Sequence, residues 1–354
     1  MLDVRLSDDT IFVGERFTVQ FQRTLRVPDD GREYPLPPGL GEFPVLRVSD
    51  YARRVPADWG PDDFFIPMYQ REALWLLFGG AEWKPNAVLV AVGRVNALTG
   101  EPLALDGVQS SRTGTGVRGA TAPQLRDDPQ NYIVCPGQPW LDGIHVEGGR
   151  VRQFIAMPLG GGHTVEGQLT GQEQFGGIQL VVYEPKEGRF PDKPPPQSRA
   201  SLYLEEAPPP MHGSGVAVSM SMGLGAGGNL RQKVYPDPYG LDTWDQDNWG
   251  RVVVHIANSQ AYRSLTGHDP PSTPVNAAYY TDMGLPWFDL YDEEQGDIGG
   301  SERMAGVKTV SQHEREIGTA AESQEDASIE IDSGQVKRLS RHKADDQSED
   351  QSES

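Results

Sequence analysis

The sequence predicts a mainly β, antiparallel fold of the sandwich or Greek-key type, with a barrel-like arrangement as the alternative and few short helices. Three observations lead to this prediction: many glycines and prolines, strand-like alternation, and few helix signals. The 354 residues include 41 glycines and 29 prolines, whereas average usage would give about 43 of the two together. Because glycine and proline are the poorest helix formers, this excess argues against a helical bundle or a coiled coil.

The clearest strand signal lies at residues 17–27, where apolar and polar side chains alternate. A period of two is typical of a half-buried antiparallel strand, here with Arg23 as the one polar residue on the apolar face. Residues 11–13, followed by Gly14, predict the partner strand of a hairpin. Uniformly apolar segments predict strands that are covered on both faces, at residues 86–97, 177–183 and 251–257.

Helix signals are weaker than strand signals. Residues 258–265 predict two helical turns, with Asn258 or Ser259 as the N-cap and Gly267 as the C-terminal stop. Residues 68–78 fit a helix and also fit one face of a strand. The helical content of the fold is therefore expected to be small.

Two glycine-rich stretches carry different predictions. Residues 158–162 predict the loop of a hairpin between strands at 150–157 and 163–170. The run at 223–228 lacks the Gly-Lys-Ser/Thr ending of a phosphate-binding loop. It predicts a tight backbone crossing or a mobile loop.

Composition divides the chain into four parts. The proline-rich residues 185–197 predict a linker between one β module at 1–184 and a second at 198–300, since about 300 residues exceed the usual single core. Residues 301–354 contain no aromatic side chain and carry 13 acidic and 7 basic residues. Such a segment buries too little apolar surface to offset its ordering entropy, so we expect a disordered acidic tail.

The charge and the apolar segments restrict partners and location. A formal net charge of −20 argues against broad nucleic-acid binding, which rests on Lys and Arg neutralising phosphates. No apolar run approaches the roughly 18 residues that span a bilayer, and residues 1–9 lack the apolar core of a signal peptide. The single cysteine, Cys135, fits a reducing compartment. We expect a cytoplasmic protein in which Cys135 is a small buried residue.

The richest candidate site is the acidic segment 237–250. Its Asp242, Asp245 and Asp247 offer oxygen ligands for Ca²⁺. The spacing is not that of an EF-hand, because no Asp-x-Asp-x-Asp-Gly run is present. A different interpretation is an ordered loop in which the aspartates cap turns.

Tryptophans in the loops suggest a binding platform. Trp244 and Trp249 lie within the same acidic segment, and Trp140 lies in a second aromatic loop. Their large, flat rings are suited to stacking on a sugar or an aromatic ligand. We therefore name these three tryptophans as candidate ligand-binding residues.

Histidines and carboxylates at 140–166 support a catalytic alternative. His145 and Glu147 share one face of a strand, whereas His163 and Glu166 would point to opposite faces of a regular strand. No third or fourth metal ligand can be assigned from spacing alone. A metal-assisted hydrolase or lyase would draw on Asp142, His145, His163 and Glu166, or on the 237–247 cluster.

Several sequence segments carry a family resemblance. They are MYQREALW at 68–75, PWLDGI at 139–144, RQFIAMPLG at 152–160 with HTVE at 163–166, GLGAGG at 223–228, DTWD at 242–245 and GLPWFD at 284–289. As a set they resemble an uncharacterised family of hypothetical proteins from bacteria and fungi, some of which bear the automatic label "integral membrane protein". The resemblance spans roughly residues 10–295, implies one unit rather than two separable domains, and brings no known activity. The membrane label conflicts with the hydropathy of this chain.

Two functions from different classes fit these observations. The first is a non-catalytic β protein that binds a small ligand or a protein partner. The second is the metal-assisted hydrolase or lyase. We favour the first, because the sequence presents no acid, base and nucleophile at the spacing of a known catalytic motif.

Overall fold

A computed structural model describes residues 1–103, 123–146, 150–194, 220–290, 296–319 and 327–339. The predicted mainly antiparallel β class is confirmed. The strands are β1 Val4–Ser7, β2 Thr10–Val13, β3 Phe17–Thr24, β4 Glu33–Tyr34, β5 Gly39–Glu42, β6 Leu46–Arg47, β7 Phe64–Met68, β8 Ala73–Gly79, β9 Asn86–Val92, β10 Val95–Asn96, β11 Ile133–Cys135, β12 Trp140–Leu141, β13 Gly143–Val146, β14 Arg150–Pro158, β15 Ile178–Pro185, β16 Ser221–Arg231, β17 Trp244–Asn258, β18 Trp287–Leu290 and β19 Val336–Leu339. The α-helices are α1 Val165–Thr170, α2 Ser259–Thr266, α3 Ala277–Asp282, α4 Glu302–Ala305 and α5 Val310–Ile317.

Strands β1 to β17 form one hydrogen-bonded sheet, and β18 and β19 form a separate parallel pair. Long antiparallel ladders join β14 to β16, β15 to β17 and β3 to β8. Strands from before and after the predicted linker at 185–197 therefore lie side by side. The expected modules at 1–184 and 198–300 contribute to the same sheet, because their strands pair across the linker.

One large apolar core lies inside this sheet. Phe17 of β3, Leu180 of β15 and Val254 of β17 are all fully buried and belong to the same cluster. Strands distant in sequence therefore contribute to one core. Both sides of the predicted linker share this core.

Several local predictions are confirmed. The hairpin of β2 and β3 forms as the alternation indicates, and Arg23 is accommodated because its guanidinium contacts the buried Glu72 carboxylate at 2.6 Å. Of residues 68–78, which fitted a helix or a strand, Met68 ends β7, 69–72 form a turn and 73–78 lie in β8. Helix α2 starts at the Asn258 cap and stops at Gly267, whose φ is 84°.

The strand predicted at 163–170 is wrong. These residues form α1, with the Thr164 side chain accepting a hydrogen bond from the Gly167 N–H and Gly171 in the left-handed region at the end. Helix capping by a threonine side chain satisfies backbone donors that a strand would have paired with a neighbour. His163 and Glu166 thus lie before and within a short helix.

The glycine run at 223–228 lies in the interior of β16 and does not form a loop. A Cβ at Gly228 would collide with the Pro28 carbonyl oxygen, and one at Gly225 would lie 2.8 Å from the His163 carbonyl oxygen. The glycines permit other backbone segments to approach the strand closely.

The start of the predicted tail requires correction. Residues 301–319 contain α4 and α5, and the side chains of Met304, Val307 and Val310 are at most 1% exposed. Their apolar burial offsets an ordering cost that the average composition of the segment did not reveal. Residues 340–354 lie outside the described residues.

No helix in the described ranges is long and apolar enough to cross a membrane.

Replacing Gly228 by alanine is expected to destabilise the protein by about 1–3 kcal/mol, since the added methyl group overpacks a backbone contact. The matched control is Gly299→Ala, because a Cβ at Gly299 meets nothing within 4 Å. Urea unfolding of both variants measures the difference. Equal urea midpoints for the two variants would show that the Pro28 backbone does not exclude a side chain at Gly228.

Candidate functional site

An open concavity of about 690 Å³ lies beside the start of β17. We call it the 239–247 groove, after the segment that forms most of its wall. Pairing of β15 with β17 places Pro185 opposite Trp244, and the Lys186 N–H donates to the Thr243 carbonyl at 2.8 Å. The lining residues are Asp127, Lys186, Arg189 and residues 239–247.

A carboxylate that accepts three hydrogen bonds holds the wall of the groove in place. Asp237 accepts hydrogen bonds at Oδ2 from the Tyr132 hydroxyl at 2.6 Å and from Trp244 Nε1 at 2.8 Å. Its Oδ1 accepts from the Tyr239 N–H at 2.8 Å. Burial, and then the hydrogen bond to Asp237, raises the pKa of Tyr132 above its ordinary range. The phenol therefore stays a donor, and the wall is fixed before any ligand binds.

The two cations that line the groove are both engaged by Asp242. Lys186 Nζ lies 2.6 Å from Asp242 Oδ1, and Arg189 contacts Oδ2 of the same carboxylate. The hydrogen bond from Lys186 and the charges of both cations hold the pKa of Asp242 below its usual value. Because the carboxylate is exposed, these pairs contribute little to stability. Their effect is to neutralise one side of the groove.

Three further carboxylates leave the groove with excess negative charge. Asp127, Asp245 and Asp247 line it and form no ion pair with other described residues. Asp245 Oδ1 accepts the Asp247 N–H at 3.0 Å, which is an Asx turn rather than a charge pair. Four carboxylates thus face two cations across the same opening.

An aromatic rim adjoins these carboxylates. The Tyr239 ring is 45% exposed and meets Phe190 edge to face at 5.1 Å. Behind it, Trp244 packs against Tyr239 at 6.1 Å and is itself buried. The ring available at the opening is therefore that of Tyr239, which sequence reasoning missed. The Asp-Pro-Tyr-Gly turn at 237–240 was the signal that could have identified it.

The predicted tryptophan platform is dispersed. Trp244 and Trp249 are 1% and 4% exposed and belong to one apolar cluster with Tyr183. Trp140 packs against Trp75, with ring centroids 5.9 Å apart, beside a different cluster. Both rings are therefore covered by protein, and Trp244, unlike Trp249, borders the groove.

Among the described residues, the three predicted calcium ligands do not belong to any metal-binding cluster of side chains. Asp242 already contacts two cations, and Asp245 and Asp247 share an Asx turn. Within the described part of the chain, no three His, Cys, Asp or Glu side chains are close enough to hold a metal ion. Calcium binding by these three aspartates stays a prediction.

Asp142 and His145 are buried in separate hydrogen-bonded pairs. The Asp142 N–H donates to Gln232 Oε1 at 3.0 Å, and Gln232 Nε2 donates to Asp142 Oδ2 at 2.7 Å. Burial raises the pKa of Asp142 to about 7. His145 Nε2 lies 3.1 Å from Asp297 Oδ2, and Glu147 lies outside the described residues.

Glu166 is hydrogen bonded to the backbone of a loop, and Cys135 is buried in the protein interior. The Glu166 carboxylate accepts the backbone N–H groups of Gln174, Phe175 and Gly176, which fixes the loop after α1. Cys135 is buried as expected, and burial raises the pKa of its thiol well above the ordinary value. A thiol with a raised pKa is a poor nucleophile at neutral pH.

The chain matches no family model, no curated protein and no solved structure. The candidate site is therefore interpreted from its own geometry. An acidic opening with an exposed aromatic rim and a wall fixed by hydrogen bonds is suited to binding a cationic group.

Asp237→Ala is expected to destabilise the protein by about 2–4 kcal/mol, because it leaves the Tyr132 hydroxyl and the Trp244 N–H without their acceptor. Asp247→Ala serves as control, since this carboxylate is exposed and accepts no hydrogen bond from a buried side chain. Urea unfolding followed by tryptophan fluorescence checks both. An Asp237 variant as stable as the control would contradict the assigned role of Asp237.

Because Asp142 is buried, we expect its carboxyl group to make the free energy of unfolding depend on pH. Because its folded pKa of about 7 lies above the ordinary 3.8, the folded state holds a proton that the unfolded state releases. The stabilisation from this proton is full below pH 4 and is lost as the pH rises to 7. Over that range the free energy of unfolding falls by up to about 1.4 kcal/mol per pH unit.

The Asp142→Asn variant keeps an acceptor for Gln232 and removes the titration. It is expected to be more stable than the wild type at pH 8 and to show a flatter stability curve between pH 4 and 7. Denaturant unfolding at a series of pH values measures this. Parallel curves for the two proteins would exclude Asp142 as the source.

Proposed function

We propose that the chain is a non-catalytic binding module whose 239–247 groove takes a lysine- or arginine-containing segment of a partner protein. The observation that carries this proposal is the charge balance of the groove: four carboxylates face two cations, and Asp242 engages both cations. A basic side chain of a partner would meet Asp127, Asp245 and Asp247 without displacing an existing ion pair.

The aromatic rim supports the same partner chemistry. Ammonium and guanidinium groups bind over aromatic faces near carboxylates, where the ring quadrupole adds to the charge attraction. Tyr239 is exposed at this rim, and its edge-to-face contact with Phe190 helps to orient the ring. A groove that is held in shape loses little conformational entropy on binding.

The overall charge favours the same class of partner. A net charge of −20 accelerates encounter with basic segments and repels nucleic acid. Binding through such a groove is expected to weaken with added salt, because the charges are exposed.

The metal-assisted hydrolase or lyase remains the catalytic alternative. It requires Asp142, His145, His163 and Glu166, or the 237–247 aspartates, to act together. In the described residues Asp142 and His145 have separate partners, and Glu166 caps a loop. No specific contact favours this alternative over binding.

Titration with labelled peptides tests the proposed function. A Lys/Arg-rich peptide is expected to bind, whereas a Glu-rich peptide of the same length is not. The double variant Asp245→Asn/Asp247→Asn should weaken binding by about tenfold, as expected for the loss of two charge contacts of about 0.7 kcal/mol each. Fluorescence anisotropy at two salt concentrations provides the measurement.

Two further variants sharpen the test. Glu187→Gln removes an exposed carboxylate beside Lys186 that does not line the groove, and it should leave affinity unchanged. Lys186→Met/Arg189→Met frees Asp242 and should tighten binding. If both groove variants bind the basic peptide with wild-type affinity, or the basic peptide does not bind, the proposed function is wrong.

A further inference from the structure

Residues 296–319, which we call the strap, pack against the sheet and contain α4 and α5. Met304, Val307 and Val310 anchor it, and each is at most 1% exposed. Val310 packs with Ala73, Ile155 and Met157 in a small apolar cluster of its own. Met304 and Val307 belong to the main apolar core, so α5 is the part of the strap that lies over β8 and β14.

Polar contacts hold the strap along its length. Gln168 of α1 binds both backbone groups of Lys308: its Oε1 accepts the N–H at 2.7 Å, and its Nε2 donates to the carbonyl at 2.9 Å. Arg152 of β14 donates to the Val307 carbonyl oxygen. Arg71, in the turn before β8, forms an ion pair with Glu314 of α5.

Two histidines meet where α5 crosses the glycine loop before α1. The rings of His163 and His313 are perpendicular, with centroids 5.0 Å apart. His163 Nδ1 is buried and has no hydrogen-bond partner among the described residues. A protonated imidazole carries a hydrogen on both nitrogens. In the docked state the Nδ1–H of a protonated His163 would therefore have no acceptor among the described residues.

The charged groups that face this contact are Arg71, Glu173 and Glu314. Glu173 is occupied by the Thr164 hydroxyl at 2.6 Å and by the N–H groups of the glycine loop, and Glu314 is paired with Arg71. Both carboxylates are therefore committed to other donors. Burial, and then the neighbouring His313, lowers the pKa of His163 below its ordinary 6.5.

We propose that α5 is a pH-sensitive element: protonation of His163, at its contact with His313, favours release of α5 from the sheet. This inference is independent of the 239–247 groove. The docked state favours neutral His163. The stabilisation of docking by neutral His163 is therefore present above pH 6.5 and is lost as the pH falls below that value. Release of α5 would uncover Arg71 and the apolar patch around Ile155.

Hydrogen exchange of the full chain tests the proposal. After correction for the intrinsic rates, opening of α5 is expected to increase between pH 7.5 and pH 5.5, because the released state binds a proton more readily than the docked state. Helix α2, which makes no such histidine contact, is the internal reference. An α5 whose pH response equals that of α2 overturns the proposal.

Variants assign the effect to the two histidines. His163→Gln/His313→Gln should remove the excess opening at pH 5.5, whereas His268→Gln, an exposed control, should leave it intact. If Glu314→Gln alone removes the effect, the Arg71 ion pair is responsible and the proposal fails.

A measurement on the wild type avoids any folding defect of the variants. Histidine NMR titration should place the pKa of His163 below 6.5. A value at or above 6.5 overturns the proposal.

Discussion

The antiparallel ladder of β15 and β17 is the constraint on which the rest of the structure depends. It runs in register from Ile178 opposite Val254 to Tyr183 opposite Trp249, and then shifts before Pro185 meets Trp244. The same β15 pairs with β9, and β17 pairs with β7 and β16. The ladder thus joins early and late strands around one core.

The register shift in this ladder also positions the groove. Between Tyr183 and Pro185 the two strands lose their regular pairing, and the chain beyond Pro185 carries Lys186 and Arg189 to face Asp242. Irregular pairing at a strand end re-aims side chains. The acidic groove is therefore a consequence of the fold, and its residues come from two strand ends that are distant in sequence.

Local signals in the sequence predicted much of the fold. Alternation identified β3, and the Asn258 and Gly267 signals bounded α2, because these patterns depend on neighbours in sequence. The strap could not be predicted in the same way. Its buried apolar residues include Met304, Val307 and Val310, but the highly charged composition of the whole C-terminal segment hid them. Their burial depends on the main core, for Met304 and Val307, and on a surface formed by β8 and β14, for Val310.

The candidate site was only partly predictable for the same reason. The sequence identified the 237–250 segment by its aspartates, yet the burial of Trp244 and the ion pairs of Asp242 depend on residues outside the segment. Lys186 and Arg189 fell within a stretch whose prolines indicated a linker. Only the pairing of β15 with β17 makes them walls of the groove.

A hydrogen-exchange footprint of the full chain with a bound Lys/Arg-rich peptide tests the central claim most directly. Our account predicts that the peptide slows exchange at residues 186–190 and 239–247, which line the groove or its aromatic rim. Protection at a different surface, with these two segments unchanged, would contradict it.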